Sequence, residues 1–445
     1  MSASDDFNRL FKKVSLKETF ISSIKKNSPP GIDGINKSQF EDNIDANISI
    51  INNKVLNGTF VFSKYLEKLL LKGRGKCPRI ISIPTIRDKI VLKSLSLILA
   101  NIYSAKVSPL HQIISNISKD VILSGTYDSF IRLDIINFYP SIQHDTLLKD
   151  LSKKIKRVQI INLLKDAITQ CTVTKSSSNG SDKEKIGIPQ GLPISNILAN
   201  AYMTTIDKKF ITISNIKYYR YVDDILILCK KNKICKITEL INKELGNVGL
   251  SIHPVGHEKF SAGDILAGFS YLGYTFNNSI ITIRKQSIDK HRESIVNTLT
   301  QYKYSKKKDI EILKWALNIR ITGGLLNNER YGWLFFYSQI NDLKLLASLD
   351  HFVAKQLKRF NIESCDVNIK KYLRSYHEIN NNLRNSKYIP NFDSYSDQER
   401  RLLLTKIFKF NTDSLNESQV EKIFSMKLFR RLKQLEKDLS GFSPK

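Results

Sequence analysis

The chain has 445 residues, 41% of them hydrophobic, which is enough apolar material for two or three packed domains and too much for a disordered protein. Lysine and arginine number 70 against 42 aspartates and glutamates, a formal charge of +28 that favours a polyanionic partner, nucleic acid first, over a small neutral substrate. Cys77, Cys171, Cys229, Cys235 and Cys365 are scattered, with no C-x-x-C pair and no clustered histidines, which argues against a disulfide framework or a zinc site. The opening Met-Ser-Ala-Ser-Asp-Asp lacks a basic and then apolar leader, and no apolar run approaches the roughly 20 residues of a membrane span, so a cytoplasmic protein without a membrane partner is expected.

Residues 1–60 carry helical apolar spacing, interrupted by a turn at Pro29-Pro30-Gly31-Ile32-Asp33-Gly34. Leu69-Leu70-Leu71-Lys72 and Arg79-Ile80-Ile81-Ser82-Ile83 predict a basic hairpin around Lys72-Gly73-Arg74-Gly75-Lys76. Thr85 and Asp88 have capping-box spacing ahead of the apolar stretch 90–100, so a helix should begin there. From 131 to 276 short apolar runs alternate with helical segments, the pattern of a sheet covered on one face by helices, and the polar run 174–184 predicts an exposed loop. After Arg284 the spacing is helical throughout, with no strand expected and a break at 390–396. No repeat of solenoid period is present.

The chemistry concentrates in the middle. Tyr221-Val222-Asp223-Asp224 lies between two apolar runs, which puts both acids in a hairpin turn. Adjacent carboxylates repel, and burying them costs several kcal/mol unless a cation compensates. Asp134 ends the strand-like Phe130-Ile131-Arg132-Leu133 and precedes Asn137-Phe138-Tyr139-Pro140-Ser141, where a helix can open. If that strand neighbours the hairpin, three carboxylates converge, a ligand set of hard oxygens suited to two Mg²⁺ ions and phosphoryl transfer. The third segment, 187–196, has two glycines that allow close backbone approach and a glutamine, Gln190, that can both donate and accept. His253 and His257 are four apart, but Pro254 and Gly256 between them argue for a loop rather than a helical metal site. The aromatic run 331–337 is read as core packing rather than a base-stacking surface, and the basic amphipathic stretch 427–435 as a helix whose polar face is solvated first, with a nucleic-acid face or a protomer interface as the alternatives.

In this order and spacing the three segments resemble the reverse transcriptase family. Its aspartate followed by two aromatics is similar to Asp134, Phe138 and Tyr139; its P-Q-G-x-x-x-S segment to Pro189-Gln190-Gly191 through Ser195; its Y-x-D-D box to Tyr221 through Asp224. Upstream, Gly31-Ile32-Asp33-Gly34 and the run from Arg79 through Asp88 resemble finger motifs of bacterial relatives, including group II intron and retron enzymes. Downstream, Gly249-Leu250 through Lys259 resembles the segment with a lysine near the triphosphate, and Tyr271-Leu272-Gly273-Tyr274 the primer grip. The likeness covers residues 28–280.

The resemblance implies an α+β right-hand polymerase. Its N-terminal helices and fingers would be 1–125, its palm 126–280, its helical thumb 281–360 and an all-helical extension 361–445. It implies RNA-directed DNA synthesis from a 3′-hydroxyl with dNTPs. Asp134, Asp223 and Asp224 would hold two Mg²⁺ ions; Lys72, Arg79, Gln190 and Lys259 would contact the nucleotide, with Phe138 excluding a ribose 2′-hydroxyl. Tyr221, Tyr271, Leu272, Gly273 and Tyr274 would meet primer and template. The partners would be an RNA template, a DNA product and a companion non-coding RNA, in a monomer or an oligomer. The helical tail and Arg330-Tyr331-Gly332-Trp333 resemble bacterial defence-associated reverse transcriptases. Ile321-Thr322-Gly323 is only a loose match to the retron thumb segment, and Asn196 stands where retron and intron relatives often have proline. Two readings from other classes are an RNA-dependent RNA polymerase, against which the aromatic Phe138 argues, and a catalytically silent RNA-binding scaffold.

Overall fold

The computed structural model describes residues 2–24, 28–71, 77–103, 109–122, 126–175, 183–362 and 368–439. Lys72, expected to meet the nucleotide, and the turn 72–76 lie outside them, as does Cys365. Two compact units are present. One comprises residues 1–109 and 128–263, the other 110–127 and 264–445.

In the first unit the helices Ala3–Leu10, Lys13–Ser23, Ile44–Leu56 and Ile86–Tyr103 pack around Phe7, Phe11, Leu16, Phe20, Ile48 and Ile51. Thr85 Oγ1 accepts the Asp88 N–H (3.2 Å), so the predicted cap forms. The Asp88 carboxylate is hydrogen-bonded to the Thr85 side chain and also accepts from the Ser63 N–H (3.1 Å) and from Arg87. Strands β1 (Tyr65–Leu70) and β2 (Arg79–Ile83) form the expected antiparallel hairpin, Leu70 facing Arg79. The central sheet contains β3 (Ser129–Asp134). β4 (Thr172–Val173) instead pairs in parallel with β1. Beside β3 lie β5 (Lys217–Tyr221), β6 (Asp224–Cys229) and β7 (Ser261–Asp264), in the order β5-β6-β3-β7. Ile131, Leu133, Ile225 and Ile227 alternate along β3 and β6 and enter one core with Leu198, Tyr202 and Ile206 of the helix Ser195–Ile211 and Ile237, Ile241 and Leu245 of the helix Ile234–Gly246. Helices thus cover one face of the sheet, as the alternation predicts.

The second unit contains a meander of β8 (Phe269–Tyr271), β9 (Tyr274–Asn277) and β10 (Ile280–Ile283). Its helices include Leu110–Ile122, Lys285–Lys303, Ile310–Thr322, Leu343–Arg359, Tyr372–Asn381, Asp397–Lys406 and Glu417–Leu435. The expectation of no strand after Arg284 is corrected by a hairpin, β11 (Gly324–Leu326) with β12 (Glu329–Tyr331). Its strands are three residues long, too short for a visible alternation. The turn signal is Asn327-Asn328, both at positive φ (54° and 58°), a conformation asparagine tolerates. Among the described residues 368–439 no strand occurs, and the extension is helical. Val420, Phe424, Leu428, Leu432 and Leu435 bury one face of the last long helix against Ile319, Leu326, Tyr331 and Phe392, and Trp333 and Tyr337 are core residues, as expected.

A buried polar cluster fastens the segment around Asp438 within this unit. Asp438 Oδ2 accepts from Arg320 Nη1 (2.7 Å) and lies 3.0 Å from His291 Nδ1, while His291 Nε2 meets the Tyr372 hydroxyl at 2.7 Å and the imidazole stacks on Trp333. Burial holds His291 below the ordinary imidazole range, so Arg320 is the cation of the cluster. Asp438→Ala leaves that guanidinium without this carboxylate. The expected loss is about 3 kcal/mol in denaturant unfolding, the cost of breaking a buried pair from one side.

Candidate active site

The three aspartates are brought together by strand register. β3 and β6 are antiparallel with Asp134 opposite Asp224, and Tyr221 faces Asp224 across β5 and β6. The turn between β5 and β6 is therefore Val222-Asp223, with Val222 at φ 58°, a costly conformation for a β-branched residue. The Ile135 N–H donates to the Asp223 carbonyl (3.1 Å), which stitches the turn to the end of β3. Burial, then repulsion from Asp223 and Asp134, pushes Asp224 up to about 7. Burial and Asp134 also raise Asp223 above the usual carboxylate range, with Lys259 and Arg79 pulling the other way.

Lys259 lies beside Asp134. Its Nζ donates to Asp134 Oδ1 at 2.7 Å. His253 Nε2 is 3.2 Å from the same oxygen, and its ring stacks on His257 at 4.2 Å between centroids. Burial and the Lys259 ammonium hold His253 below the ordinary imidazole range. Both histidines are in a loop, as expected, but His253 is a site residue that the sequence reading set aside. The spacing of its motif gave no sign of this, because the contact is made by folding the loop back onto β3, where the His253 N–H meets the Asp134 carbonyl at 3.3 Å.

The loop 187–191 joins the site to the β1–β2 hairpin. Gly191 sits at φ 103°, and a Cβ there would stand 2.7 Å from Ile81 Cγ2, so only glycine lets the Gln190 carbonyl accept the Ser82 N–H at 2.7 Å. Gln190 Oε1 is buried with no hydrogen-bond partner, the condition of a group built to meet a ligand. Arg79, one strand away, lies near enough to act on the charge of Asp223 and Tyr139. Phe138 and Tyr139 open the short helix Phe138–Ser141 after Asn137 in the left-handed region (φ 46°); both rings are buried, 5.5 Å apart. The Tyr139 hydroxyl donates to Asn196 Oδ1, and its carbonyl accepts the Ile188 N–H at 2.8 Å. Tyr221 is half-buried beside the turn.

Asp134, Asp223, Asp224, Arg79, Phe138, Gln190, Tyr221 and Lys259 thus all belong to the first unit. Tyr271, Leu272, Gly273 and Tyr274 belong to the second and form the β8–β9 hairpin, with Leu272 (φ 49°) and Gly273 (φ 86°) as its two-residue turn. Tyr271 and Tyr274 are buried there, and the Tyr274 hydroxyl donates to the Phe336 carbonyl at 2.5 Å, so their rings are packing residues of that unit.

Residues 71–276 match the family model described as Reverse transcriptase (RNA-dependent DNA polymerase). The COX1/OXI3 intron 1 protein of Saccharomyces cerevisiae is 26% identical over 193 residues, covering 42% of this chain and 21% of its own length. Protein YkfC of Escherichia coli is 22% identical over 191 residues, covering 40% and 49%. The matches thus span less than half of those relatives. Among solved structures, telomerase from Candida albicans in complex with a TWJ fragment of telomeric RNA aligns with 91% of this chain and 70% of its own at 11% identity, TM-score 0.44. No described helix is long and apolar enough to cross a membrane. Residues 71–276 of this mixed helix-and-sheet chain, a little under half of its length, are thus similar to the reverse transcriptase family.

Proposed function

We propose that the protein is an RNA-directed DNA polymerase that extends a 3′-hydroxyl with dNTPs. The observation that carries this reading is the cross-strand placement of Asp134 opposite Asp224, with Asp223 in the adjoining turn, in a domain similar to that family. Enzymes of the family use divalent metal ions. Among the described residues no three His, Cys, Asp or Glu side chains are closed around one point. The carboxylates nonetheless fit such ions. They are hard oxygen donors, and burial first, then repulsion among them, raises Asp223 and Asp224, a charge cost that a cation relieves. Asp134, Asp223 and Asp224 would hold two Mg²⁺ ions, which when bound supply charge neutralisation at the attacking hydroxyl and the leaving pyrophosphate.

The chain's own residues do the rest. With Asp134 engaged as a metal ligand, the Lys259 ammonium, 2.7 Å from it, would be available to the triphosphate, and Arg79 would serve the same phosphates. Gln190 offers its unpartnered carbonyl oxygen and amide to the nucleotide, and Phe138 presents its ring to the sugar. Tyr221 and the turn Leu272-Gly273 meet template and primer. Residues 1–125 serve as N-terminal helices and fingers, 126–280 as palm, 281–360 as thumb and 361–445 as the helical extension. We further read the protein as a cytoplasmic antiphage enzyme of a bacterium that copies a companion non-coding RNA. The second reading is an intron- or retron-type enzyme, favoured by relatives named after introns.

Sequencing the RNA and DNA that co-purify with the wild type and with Asp223→Ala, Asp224→Ala tests this. One abundant RNA with complementary DNA only in the wild type is expected. RNA without complementary DNA in either form makes the protein a silent scaffold.

A further inference from the structure

Arg220, the residue before Tyr221, is not among the family's metal-binding positions, yet it makes the densest set of hydrogen bonds near the catalytic turn. Its Nε and Nη2 donate to the two carboxylate oxygens of Asp207 at 2.8 and 2.6 Å, a bidentate fork. Its Nη1 donates to the Val222 carbonyl at 2.9 Å and to Asn200 Oδ1 at 3.1 Å. The Tyr218 hydroxyl adds a further bond to Asp207 at 2.9 Å. The Arg220 side chain is only 9% exposed.

Two features give this arrangement a purpose. The Val222 carbonyl belongs to the peptide that leads into Asp223, so the bond from Arg220 fixes that peptide plane while Val222 is held at φ 58°. Second, Asn196, Asn200 and Asp207 lie four and seven residues apart along the helix Ser195–Ile211, within about 40° of one stripe at 100° per residue. Asn196 accepts the hydroxyl of Tyr139, whose ring lies beside Phe138; Asn200 and Asp207 hold Arg220. One rigid helix therefore grips both the turn that carries Asp223 and Asp224 and the aromatic pair.

We propose that Arg220 is a positioning residue that holds the Val222-Asp223 peptide in its productive orientation, and that the polar stripe Asn196, Asn200 and Asp207 sets the carboxylates in register with Phe138 and Tyr139. The inference rests on the polymerase reading. Arg220→Lys keeps the charge but loses the planar fork that reaches Asp207 and Val222 together. A misplacement of this kind costs about 10- to 100-fold in rate.

The experiment measures wild type, Arg220→Lys, Asn200→Ala and Asn196→Ala by dNTP incorporation on a primed RNA, by Mn²⁺ affinity from electron paramagnetic resonance, and by thermal midpoint. For Arg220→Lys the expected result is a kcat about 10- to 100-fold lower with KM for dNTP within threefold, Mn²⁺ affinity weakened several-fold, and a folded protein at assay temperature. Asn200→Ala, which removes one bond from Arg220, should show the same pattern more weakly. Asn196→Ala should lower the ratio of dNTP to NTP use while leaving Mn²⁺ affinity unchanged. The proposal is overturned if Arg220→Lys and Asn200→Ala keep wild-type kcat and Mn²⁺ affinity, or if their losses follow thermal unfolding alone. A wild type that binds Mn²⁺ but incorporates neither dNTP nor NTP refutes the polymerase reading instead, and the Mn²⁺ affinities of the variants still decide the role of Arg220.

Discussion

Replacing Asp224 with asparagine is expected to abolish synthesis and, in metal-free buffer, to make the protein more stable. Burial and the charges of Asp223 and Asp134 push Asp224 up to about 7 from an ordinary 3.8. Between those values the folded chain keeps a proton that the unfolded chain has released, so stability falls as pH rises from 3.8 to about 7 and levels off above. The most this can amount to is roughly 4 kcal/mol. Asparagine has nearly the same shape and no charge, so it removes the cost. The thermal midpoint of Asp224→Asn in EDTA should exceed that of the wild type by several degrees at pH 8 and by less at pH 5. Added magnesium should reverse the order, because only the wild type gains stability from a ligand that binds the folded carboxylates. Synthesis should fall by at least about 10³-fold, the scale on which lost electrostatic stabilisation is felt at a reacting centre. A variant that melts below the wild type at pH 8 without metal contradicts the repulsive cluster.

Phe138→Val should let ribonucleotides in. The ring is 3% exposed, packed 5.5 Å from Tyr139 and held by a backbone that turns through Asn137 in the left-handed region. A smaller side chain leaves room for a 2′-hydroxyl, and a pocket difference of this size changes discrimination by about 10- to 100-fold. The ratio of kcat/KM for dCTP to that for CTP checks it, with a stability loss of about 2 kcal/mol accompanying the change. An unchanged ratio would take the sugar-reading role away from Phe138.

How far the sequence speaks depends on whether a signal is local. The acids were legible because Asp134 ends an apolar strand and Asp223-Asp224 interrupt two others, so alternation alone puts them at strand ends; only the register, Asp134 opposite Asp224, had to come from the structure. Thr85 announced its helix and its contact with Asp88, while the further partners of Asp88, the Ser63 N–H and Arg87, could not be read from spacing. The hairpin 324–331 was hidden by three-residue strands within a helical context. His253 and Arg220 were missed for a different reason. The imidazole reaches an oxygen 119 residues earlier in the chain, and the guanidinium grips Asp207 from a separate element. Pairings of that kind leave no periodicity to count. Asn196 was noticed only as a departure from proline; its role as acceptor for Tyr139 gives the departure a physical sense.

The most direct measurement is primer extension on a defined RNA template with Mg²⁺ and dNTPs, comparing the wild type with Asp223→Ala, Asp224→Ala in parallel with RNA binding at fixed salt. The account predicts complementary DNA from the wild type, none from the variant, and equal RNA binding by both. DNA synthesis retained by the variant would contradict the assignment of the site, and no synthesis by a folded, RNA-binding wild type would contradict the assignment of the function.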